Sequence, residues 1–520
     1  MSINLRRNYP LIILLVMLIS ILTFAIGDLR VIAYTNDANT AQSEENKDGI
    51  DYANDVSLFD DTVVHEIQVI IDPEEYDSML STYKETGLKE YFKADVIIDG
   101  VRVNDVGIRL KGNASLRTAL GGGMGFGGGE RPDNAQRPDD GAMPQFPENG
   151  QQPPTDWEMP EGFAQGERPQ PPDGFQMPDQ GQGPDMNGGR QSISEDQIKI
   201  PFMIKFDEYV DGQTYQGHAT ISIRNYGTSY DEALLQEPIT NYAAQLSGVP
   251  ATDTAYTGFR INDDEERLYV VSELINEDYL ETYFENEDGV LYKAEVGSTL
   301  SYQGEDPSSY ADSFTQQTRV NDADLMPLIE LIRFVDQADD AEFEKELPDY
   351  LDVDAFASYI AVNAMLVNVD SMLGMNNNYY LYYDDETEKF TILMWDANES
   401  FNKLGGSATY DVTLENTQSG PGGRGGPGGM GGGENALLSR FMENETFKAL
   451  YEEKLQEVYE AAFASDAMNE KIDEYSALIH SVNNERELVD IEAYDAAVED
   501  IKTFISQRLE YLNSTGLFEN

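Results

Sequence analysis

The sequence NVDSMLGMNNNYYLYYDDETEKFTILMWDANESF, residues 368–401, decides the fold prediction. Two short runs rich in aromatic and β-branched residues flank the polar turn DDETEK, a pattern typical of a β-hairpin. The helical pattern AFASYIAVNAMLVNVD precedes the hairpin and is predicted to end at Asp370, where a short loop begins. Asn378 stands directly before the first strand, and Asp396 stands at the end of the second. The sequence therefore predicts helix, loop, strand, turn and strand in this order, with polar residues at the junctions.

An Asp, an Asn before a hairpin and a second Asp after it follow the order that phosphoryl transfer uses in protein kinases. There the first Asp positions the acceptor hydroxyl, while the Asn and the second Asp hold magnesium. A strand Lys followed by a helix Glu would complete the ion pair that orients the phosphates, and Lys199 or Lys205 with Glu237 are available in that order. The interval from Asp370 to Asn378 is longer than in ordinary kinases, so the spacing alone does not settle the function.

The remainder of the chain is α+β in pattern. Strand-like runs are predicted at 65–71, 94–98, 106–111, 198–206, 219–224, 255–261 and 268–274, and a helical repeat of apolar residues lies at 231–246. After residue 434 the apolar residues recur at helical spacing, and we interpret these stripes as core packing.

The chain of 520 residues is strongly acidic, with 96 Asp and Glu against 34 Lys and Arg and a net charge of −62. Phosphate groups would be repelled, so the composition argues against nucleic-acid binding and disfavours an anionic membrane surface. The absence of cysteine excludes disulfides, thiolate metal sites and a cysteine nucleophile, and three histidines offer little for a zinc centre or a histidine-based triad. At 40% apolar residues the chain can still bury a sizeable core. The acidity fits either a surface adapted to high salt or an ordinary acidic surface.

Four segments are predicted to lie outside the folded domain. Residues 1–27 carry two arginines before an uncharged, mostly apolar run, which indicates an exported protein with either a cleaved signal peptide or a membrane anchor. Residues 28–61 are interpreted as a polar linker. A Gly/Pro-rich insertion, 120–190, is predicted to be disordered because it cannot bury enough apolar surface, and 416–434 is predicted to be a Gly-rich loop.

Nine segments of the remaining chain form an ordered set of motifs. They are VGIRLKGNASL, KIPFMIKF, LSGVPATDTAYTGFRIN, LYVVSELINEDYL, DGVLYKAE, NNNYYLYYD, ILMWDANESF, FKALYEEKL and IKTFISQRLEYL. Together they resemble the spore-coat protein H (CotH) kinase-like family over about residues 62–515, apart from the low-complexity insertions. The resemblance implies an atypical protein-kinase-like fold with a strand-rich N-lobe and a helical C-lobe, formed by 62–119, 191–415 and 435–520.

The resemblance also implies an enzyme that binds ATP with a divalent metal, Mg²⁺ or else Mn²⁺ or Ca²⁺, and phosphorylates Ser or Thr of surface or coat proteins. Carried over residue by residue, Asp370 matches the catalytic Asp, and Asn378 and Asp396 match the metal-binding residues. Asn398 departs from the family's WDxD motif, in which a second Asp stands at this position. One ligand or neighbouring charge is then missing from the site.

Five further residues are predicted to contact the nucleotide. They are Lys199, Glu237, Arg109, Lys111 and Glu273. Lys199 best matches the family's lysine, but Lys205 has the same strand parity and stays an alternative. Arg109 and Lys111 resemble the family's loop near the phosphates, and Glu273 follows a strand where a kinase hinge would lie.

Two functions from different classes remain open. The first is an exported, metal-dependent Ser/Thr kinase at the cell surface or outside the cell. The second is a catalytically weak surface or spore-coat scaffold, or an adhesin. The set of Asp370, Asn378 and Asp396 favours the first function, whereas Asn398 favours the second.

Substitution of the two aspartates is expected to separate catalysis from folding. Asp396→Ala should weaken metal-dependent nucleotide binding, whereas Asp370→Ala should remove transfer and leave binding largely intact. Both variants are expected to stay folded and even to gain stability, because clustered carboxylates repel one another.

Overall fold

The computed structural model describes residues 49–120, 199–228, 231–401, 403, 407–414 and 435–518. Strands dominate the first half of the described chain and helices the second, so the α+β prediction is confirmed. The predicted Gly/Pro-rich insertion and the Gly-rich loop lie outside these residues, apart from Leu120.

The strands, in chain order, are β1 Asp51–Tyr52, β2 His65–Ile70, β3 Phe92–Ile98, β4 Val101–Leu110, β5 Phe202–Lys205, β6 Thr214–Tyr215, β7 Thr220–Arg224, β8 Thr254–Ile261, β9 Arg267–Ser272, β10 Val290–Ala294, β11 Phe314–Gln316, β12 Tyr379–Asp384 and β13 Lys389–Met394.

The α-helices are α1 Pro73–Thr86, α2 Ala114–Ala119, α3 Gln236–Leu246, α4 Glu277–Tyr283, α5 Met326–Gln337, α6 Asp340–Tyr350, α7 Val353–Met365, α8 Ala436–Glu443, α9 Glu445–Val458, α10 Ala467–Arg486 and α11 Ile491–Ser514.

Seven strands of the first half close into a barrel. The order is β2-β3-β4-β5-β7-β9-β8, and β8 closes the barrel by pairing parallel with β2. Alternate residues of the strands point inward, as Ile67 and Val69 do on β2, and form one apolar core. Helix α3 follows β7 in the chain, and Arg224, the last residue of β7, forms an ion pair with Glu237 in the first turn of α3. These two residues therefore lie at the same end of the barrel.

The second sheet has four strands in the order β11-β10-β12-β13. Strands β12 and β13 form the predicted hairpin, with Tyr379 opposite Met394 and Asp384 opposite Lys389. Because the strands are antiparallel, the residue before β12 and the residues after β13 meet at the open end of the hairpin. This geometry positions the candidate site.

Helices α8 and α9 pack against α7, most of whose residues are buried. Arg508 of α11 is fully buried and donates to four main-chain carbonyls, those of Ala364, Met365, Ala408 and Tyr410. Two of these carbonyls belong to the last turn of α7, where helical partners are missing. The C-terminal helix therefore fixes the end of α7, from which the chain runs to Asp370.

The folded part begins earlier than the predicted boundary at residue 62. Strand β1 pairs with β6, Leu58 is buried, and Asp61 forms an ion pair of 2.7 Å with Lys471. The prediction of a polar linker up to residue 61 is therefore wrong for 49–61. The composition of this segment is polar, but its contacts are made with distant parts of the chain that a local pattern does not reveal.

None of the helices in the described part of the chain is both long and apolar enough to cross a membrane. The apolar run predicted at 1–27 lies outside that part.

Deletion of residues 121–190 is expected to change the melting temperature by only a few degrees. The strands on the two sides of this interval are neighbours, since Leu110 of β4 faces Phe202 of β5 and the Lys111 N–H donates to the Pro201 carbonyl at 3.0 Å. A shorter connection closes a smaller loop, which costs slightly less entropy. Thermal unfolding followed by circular dichroism tests this, and a sharp fall in the melting temperature would show that the segment packs.

Candidate active site

The open end of the β12–β13 hairpin joins three of the predicted residues. The Trp395 N–H donates to the Asn378 carbonyl at 3.2 Å, and the Asn378 amide donates to the Asp396 carbonyl at 3.4 Å. The same Asn378 amide donates to Asp370 Oδ2 at 2.9 Å. Asp370, Asn378 and Asp396 therefore lie together, although residues 370 and 396 are far apart in the sequence.

Asp370 does not end a helix, contrary to the prediction. Helix α7 stops at Met365, and the following turn has Val367 in the left-handed region with φ of 54°. The side chain of Asn368 donates to Asn363 Oδ1 at 2.8 Å and so holds the chain against the last turn of the helix. The apolar run continues beyond Met365, which is why the pattern extended the helix too far.

The carboxyl group of Asp370 has a raised pKa. Burial raises the pKa of Asp370 to about 7, and the nearby carboxylates of Asp396 and Glu399 act in the same direction. Amide donors from Asn377 and Asn378 partly offset this effect on the pKa. A carboxylate that titrates near neutral pH is suited to accepting a proton in catalysis.

The backbone is strained at both metal-site candidates. Asn378 and Asp396 each have φ of 54°, in the left-handed region. Asn and Asp tolerate this region better than other residues with a Cβ, and such strain concentrates at functional sites.

Arg224, at the end of β7, connects the hairpin to helix α3. Its Nε lies 2.5 Å from Glu237 Oε2, and its Nη2 contacts Asp396 Oδ1. Its guanidinium also stacks over the Trp395 ring, 5.2 Å from the ring centroid. The side chains of Arg224 and Glu237 are only 4% and 5% exposed, so this ion pair is shielded from solvent. Arg224 was not among the residues predicted from the sequence, although it ends the last strand before the helix that carries Glu237.

The predicted ion pair between Glu237 and a strand lysine is wrong. Lys199 is buried and pairs with Glu232 at 3.3 Å, while Lys205 lies near Asp207 and Glu208. Strand β5 begins at Phe202, so Lys199 does not belong to a strand and the parity argument does not apply to it. The sequence order alone did not show which cation faces α3.

Lys111 and Arg109 have different surroundings. The Lys111 ammonium lies 5.1 Å from the centroid of Trp395. Burial and Arg224 lower the pKa of Lys111 to about 7, against the opposing effect of Asp396. Arg109 instead stacks over Tyr91 at 5.1 Å. The structure therefore brings Lys111, but not the Arg109 guanidinium, to the face of Trp395.

Glu273 is not part of this group. It follows β9, and its Oε2 accepts a hydrogen bond of 3.2 Å from the Asp253 N–H. Burial raises the pKa of Glu273 to about 7, and the charged neighbours that contribute are Asp253 and Asp278.

Glu399 is a buried carboxylate that was not among the residues predicted from the sequence. Its Oε1 accepts hydrogen bonds from the N–H and the hydroxyl of Thr228, at 2.8 Å and 2.7 Å. Its Oε2 is buried with no hydrogen-bond partner among the described residues. Glu399 directly follows Asn398, so a carboxylate is present next to the position where the WDxD motif has its second Asp.

The donor atoms near Asp396 fit a hard divalent cation. Magnesium is commonly held by one or two carboxylates together with substrate phosphates, and Asp396 with the Asn378 side-chain oxygen supplies a set of this kind. No three His, Cys, Asp or Glu side chains in the described ranges converge as a metal site. The residues therefore fit a cation that the nucleotide helps to bind, rather than one held by the protein alone.

Asp370 should make stability fall as the pH rises from about 4 to above 7. Its pKa in the folded protein lies above its usual value of 3.8, so the folded state binds more protons in this interval. Relative to Asp370→Asn, the wild type should lose about 1–2 kcal/mol of unfolding free energy between pH 5.5 and pH 8.

Urea unfolding of both proteins at the two pH values measures this change. The exposed Asp336→Asn serves as the control and should follow the wild type at both. A constant difference between wild type and Asp370→Asn would show that the pKa of Asp370 is not raised.

Comparisons with known proteins bear on the family. The CotH kinase protein family matches residues 187–512, more than half of the chain, although Arg109 and Lys111 lie outside the matched range. The inner spore coat protein H of Bacillus subtilis (strain 168) is 23% identical over 289 residues, which cover 54% of this chain and 75% of that protein. The crystal structure of the Helicobacter pylori proinflammatory kinase CtkA aligns over 54% of this chain and 91% of its own, with 12% identity. Its TM-score of 0.21 is too low to support an argument about the fold. The match over 187–512 shows that this chain belongs to the CotH kinase protein family.

Proposed function

We propose that this protein is an ATP-dependent Ser/Thr protein kinase. The observation that carries the proposal is the hydrogen-bonded set of Asp370, Asn378 and Asp396 at one end of the hairpin. Its members have the residue types and chain order that protein kinases use for the base and the metal ligands. Membership of the CotH kinase protein family supports the same reaction class, and the proposal includes a kinase-like arrangement of two lobes.

In the proposed reaction the acceptor hydroxyl oxygen bonds to the γ-phosphorus while the bond from this phosphorus to the β–γ bridging oxygen breaks. ADP leaves, and the hydroxyl proton passes to a carboxylate oxygen of Asp370. The raised pKa of Asp370 suits this role near neutral pH. Asn378 and Asp396 would hold Mg²⁺, or Mn²⁺ or Ca²⁺, which when bound neutralises phosphate charge.

The structure supports the other predicted nucleotide contacts to different degrees. Lys111 lies near the charges of Asp396 and Glu237. Its pKa is lowered to about 7, so nearby phosphates would favour the charged form of its amine at neutral pH. Arg109 lies on β4, which ends at Leu110, one residue before Lys111. Lys199 and Glu273 are buried away from Asp396, with Glu232 and the Asp253 N–H as their partners, so they receive the least support.

We further propose that the protein acts outside the cytoplasm on surface or coat proteins. The apolar run at 1–27 supports export, with or without a membrane anchor. The Bacillus subtilis relative is named as an inner spore coat protein, which favours a coat or surface substrate. The net charge of −62 favours protein partners without large acidic surfaces and disfavours nucleic acid.

A scaffold or adhesin with weak catalysis is the second candidate. Asn398 favours it, because the second Asp of the WDxD motif is absent. The buried carboxylate of Glu399, one residue later, weakens that argument.

Incubation of the full-length protein with γ-labelled ATP and Mg²⁺ tests the kinase proposal. Label should appear on Ser or Thr of the protein itself or of a mixed Ser/Thr substrate such as casein, identified by mass spectrometry. A folded protein that transfers no label with Mg²⁺, Mn²⁺ or Ca²⁺ would leave the scaffold as the better account.

A further inference from the structure

Arg224 has more contacts and donors than a structural ion pair needs. It lies against two carboxylates, those of Glu237 and Asp396, and against the face of Trp395. Its Nη1 is nevertheless buried without a hydrogen-bond partner in the described part of the chain. A buried donor left without an acceptor costs about 1–3 kcal/mol, so this arrangement is not optimised for stability alone.

The position of Arg224 matches a functional need. Arg224 ends the strand that precedes helix α3, and it pairs with the glutamate on that helix. Phosphoryl-transfer enzymes of the kinase type use a strand cation paired with a helix glutamate to orient the phosphates. The planar guanidinium suits phosphate oxygens, because it presents several donors in a fixed geometry.

Asp396 adds a second constraint. It is both a partner of Arg224 and a candidate ligand for the divalent cation. Burial alone would raise the pKa of Asp396, but Arg224 and Lys111 outweigh this effect and hold the pKa below its usual value. A cation that binds Asp396 therefore competes with a positive charge already in contact with the carboxylate.

We propose that Arg224, held by Glu237, binds the nucleotide phosphates and makes the binding of nucleotide and of divalent cation depend on each other. While Arg224 contacts Asp396, this carboxylate is a poor cation ligand. Phosphate oxygens that accept from Arg224 release Asp396 to the cation, and the cation in turn releases Arg224 to the phosphates. This coupling is reciprocal by thermodynamic necessity. The inference rests on the proposed function for the identity of the phosphate ligand.

The Arg224→Gln substitution should change the affinities for cation and for nucleotide in opposite directions. The affinity for Mn²⁺ alone, measured by electron paramagnetic resonance, should rise about tenfold, because the competing charge is gone. The affinity for ATP with Mg²⁺, measured by calorimetry, should fall by a factor of about 10 or more. Arg224→Lys should show smaller changes of both affinities. A lysine keeps the positive charge but lacks the planar set of donors with which arginine can contact Glu237, Asp396 and a phosphate together.

Lys205→Gln is the matched control, since this cation also ends a barrel strand but lies near Asp207 and Glu208. It should leave both affinities unchanged. Equal losses of Mn²⁺ and nucleotide affinity in a folded Arg224→Gln or Arg224→Lys protein would show a merely structural role and overturn the inference. Unchanged affinities would also overturn it. If the wild type binds no nucleotide, the proposed function fails, while the Mn²⁺ measurement still tests the competition at Asp396.

Discussion

Asp370→Asn is expected to lower the rate of phosphate transfer by a factor of about 100 or more, with little change in nucleotide affinity. The substitution removes the carboxylate that would accept the hydroxyl proton in the proposed reaction and keeps the size of the side chain. Asp370 contacts Asn377 and Asn378 but forms no ion pair with Arg224, so the contacts of Arg224 with Glu237 and Asp396 should persist. Transfer under single-turnover conditions and calorimetric titration with ATP and Mg²⁺ measure the two quantities.

Asp396→Asn provides the contrast, because it should weaken metal-dependent nucleotide binding as well as transfer. The melting temperature shows whether each variant is folded. If Asp370→Asn transferred phosphate as fast as the wild type, Asp370 would not be the base.

Glu237→Gln is expected to lower the free energy of unfolding by about 2–4 kcal/mol. Removal of one partner from a buried ion pair leaves the other charge poorly compensated, which typically costs 3–5 kcal/mol. Arg224 keeps its contact with Asp396, so we expect a loss of about 2–4 kcal/mol, which overlaps only the lower part of that range. Chemical unfolding with urea measures the loss.

Glu305→Gln is the control for this prediction. Glu305 pairs with Arg333 at 2.9 Å on the exposed surface, where solvent screens the charges and such pairs contribute little to stability. Similar losses for Glu305→Gln and Glu237→Gln would show that burial does not strengthen the Arg224–Glu237 pair.

The structure changes one expectation about stability. The sequence suggested that loss of either Asp370 or Asp396 would relieve repulsion between carboxylates. The raised pKa of Asp370 agrees with this for Asp370. Asp396 has a lowered pKa and contacts Arg224, so its removal should leave a buried cation less well compensated. A count of carboxylates in the sequence does not reveal which of them faces an arginine.

The hairpin and its polar junctions could be predicted because they depend on local order. Two runs of strand-forming residues on either side of DDETEK predict β12 and β13, and antiparallel pairing then brings Asn378 to Asp396. The barrel strands were found for the same reason, with ends that differ by a few residues. Helix α1 was missed because Met79 is its only buried residue, so it has almost no apolar stripe. Its capping residues, Asp72 and Gly87, were the available signal.

The cation that faces Glu237 could not be predicted, because its position depends on packing between distant parts of the chain. Lys199, Lys205 and Arg224 all precede the helix in sequence. Only the barrel topology, with β7 as the strand directly before α3, puts Arg224 at the right end. Glu399 was passed over for a related reason, since its contact with Thr228 joins residues 171 positions apart.

Calorimetric titration of the full-length protein with ATP, in the presence and absence of Mg²⁺, tests the central claim most directly. The account predicts saturable binding to a single site with a dissociation constant between about 1 μM and 1 mM when Mg²⁺ is present. Binding should become at least about tenfold weaker without the cation, because Asp396 and Arg224 then keep each other occupied. A folded protein that binds no ATP with Mg²⁺, Mn²⁺ or Ca²⁺ would contradict the account.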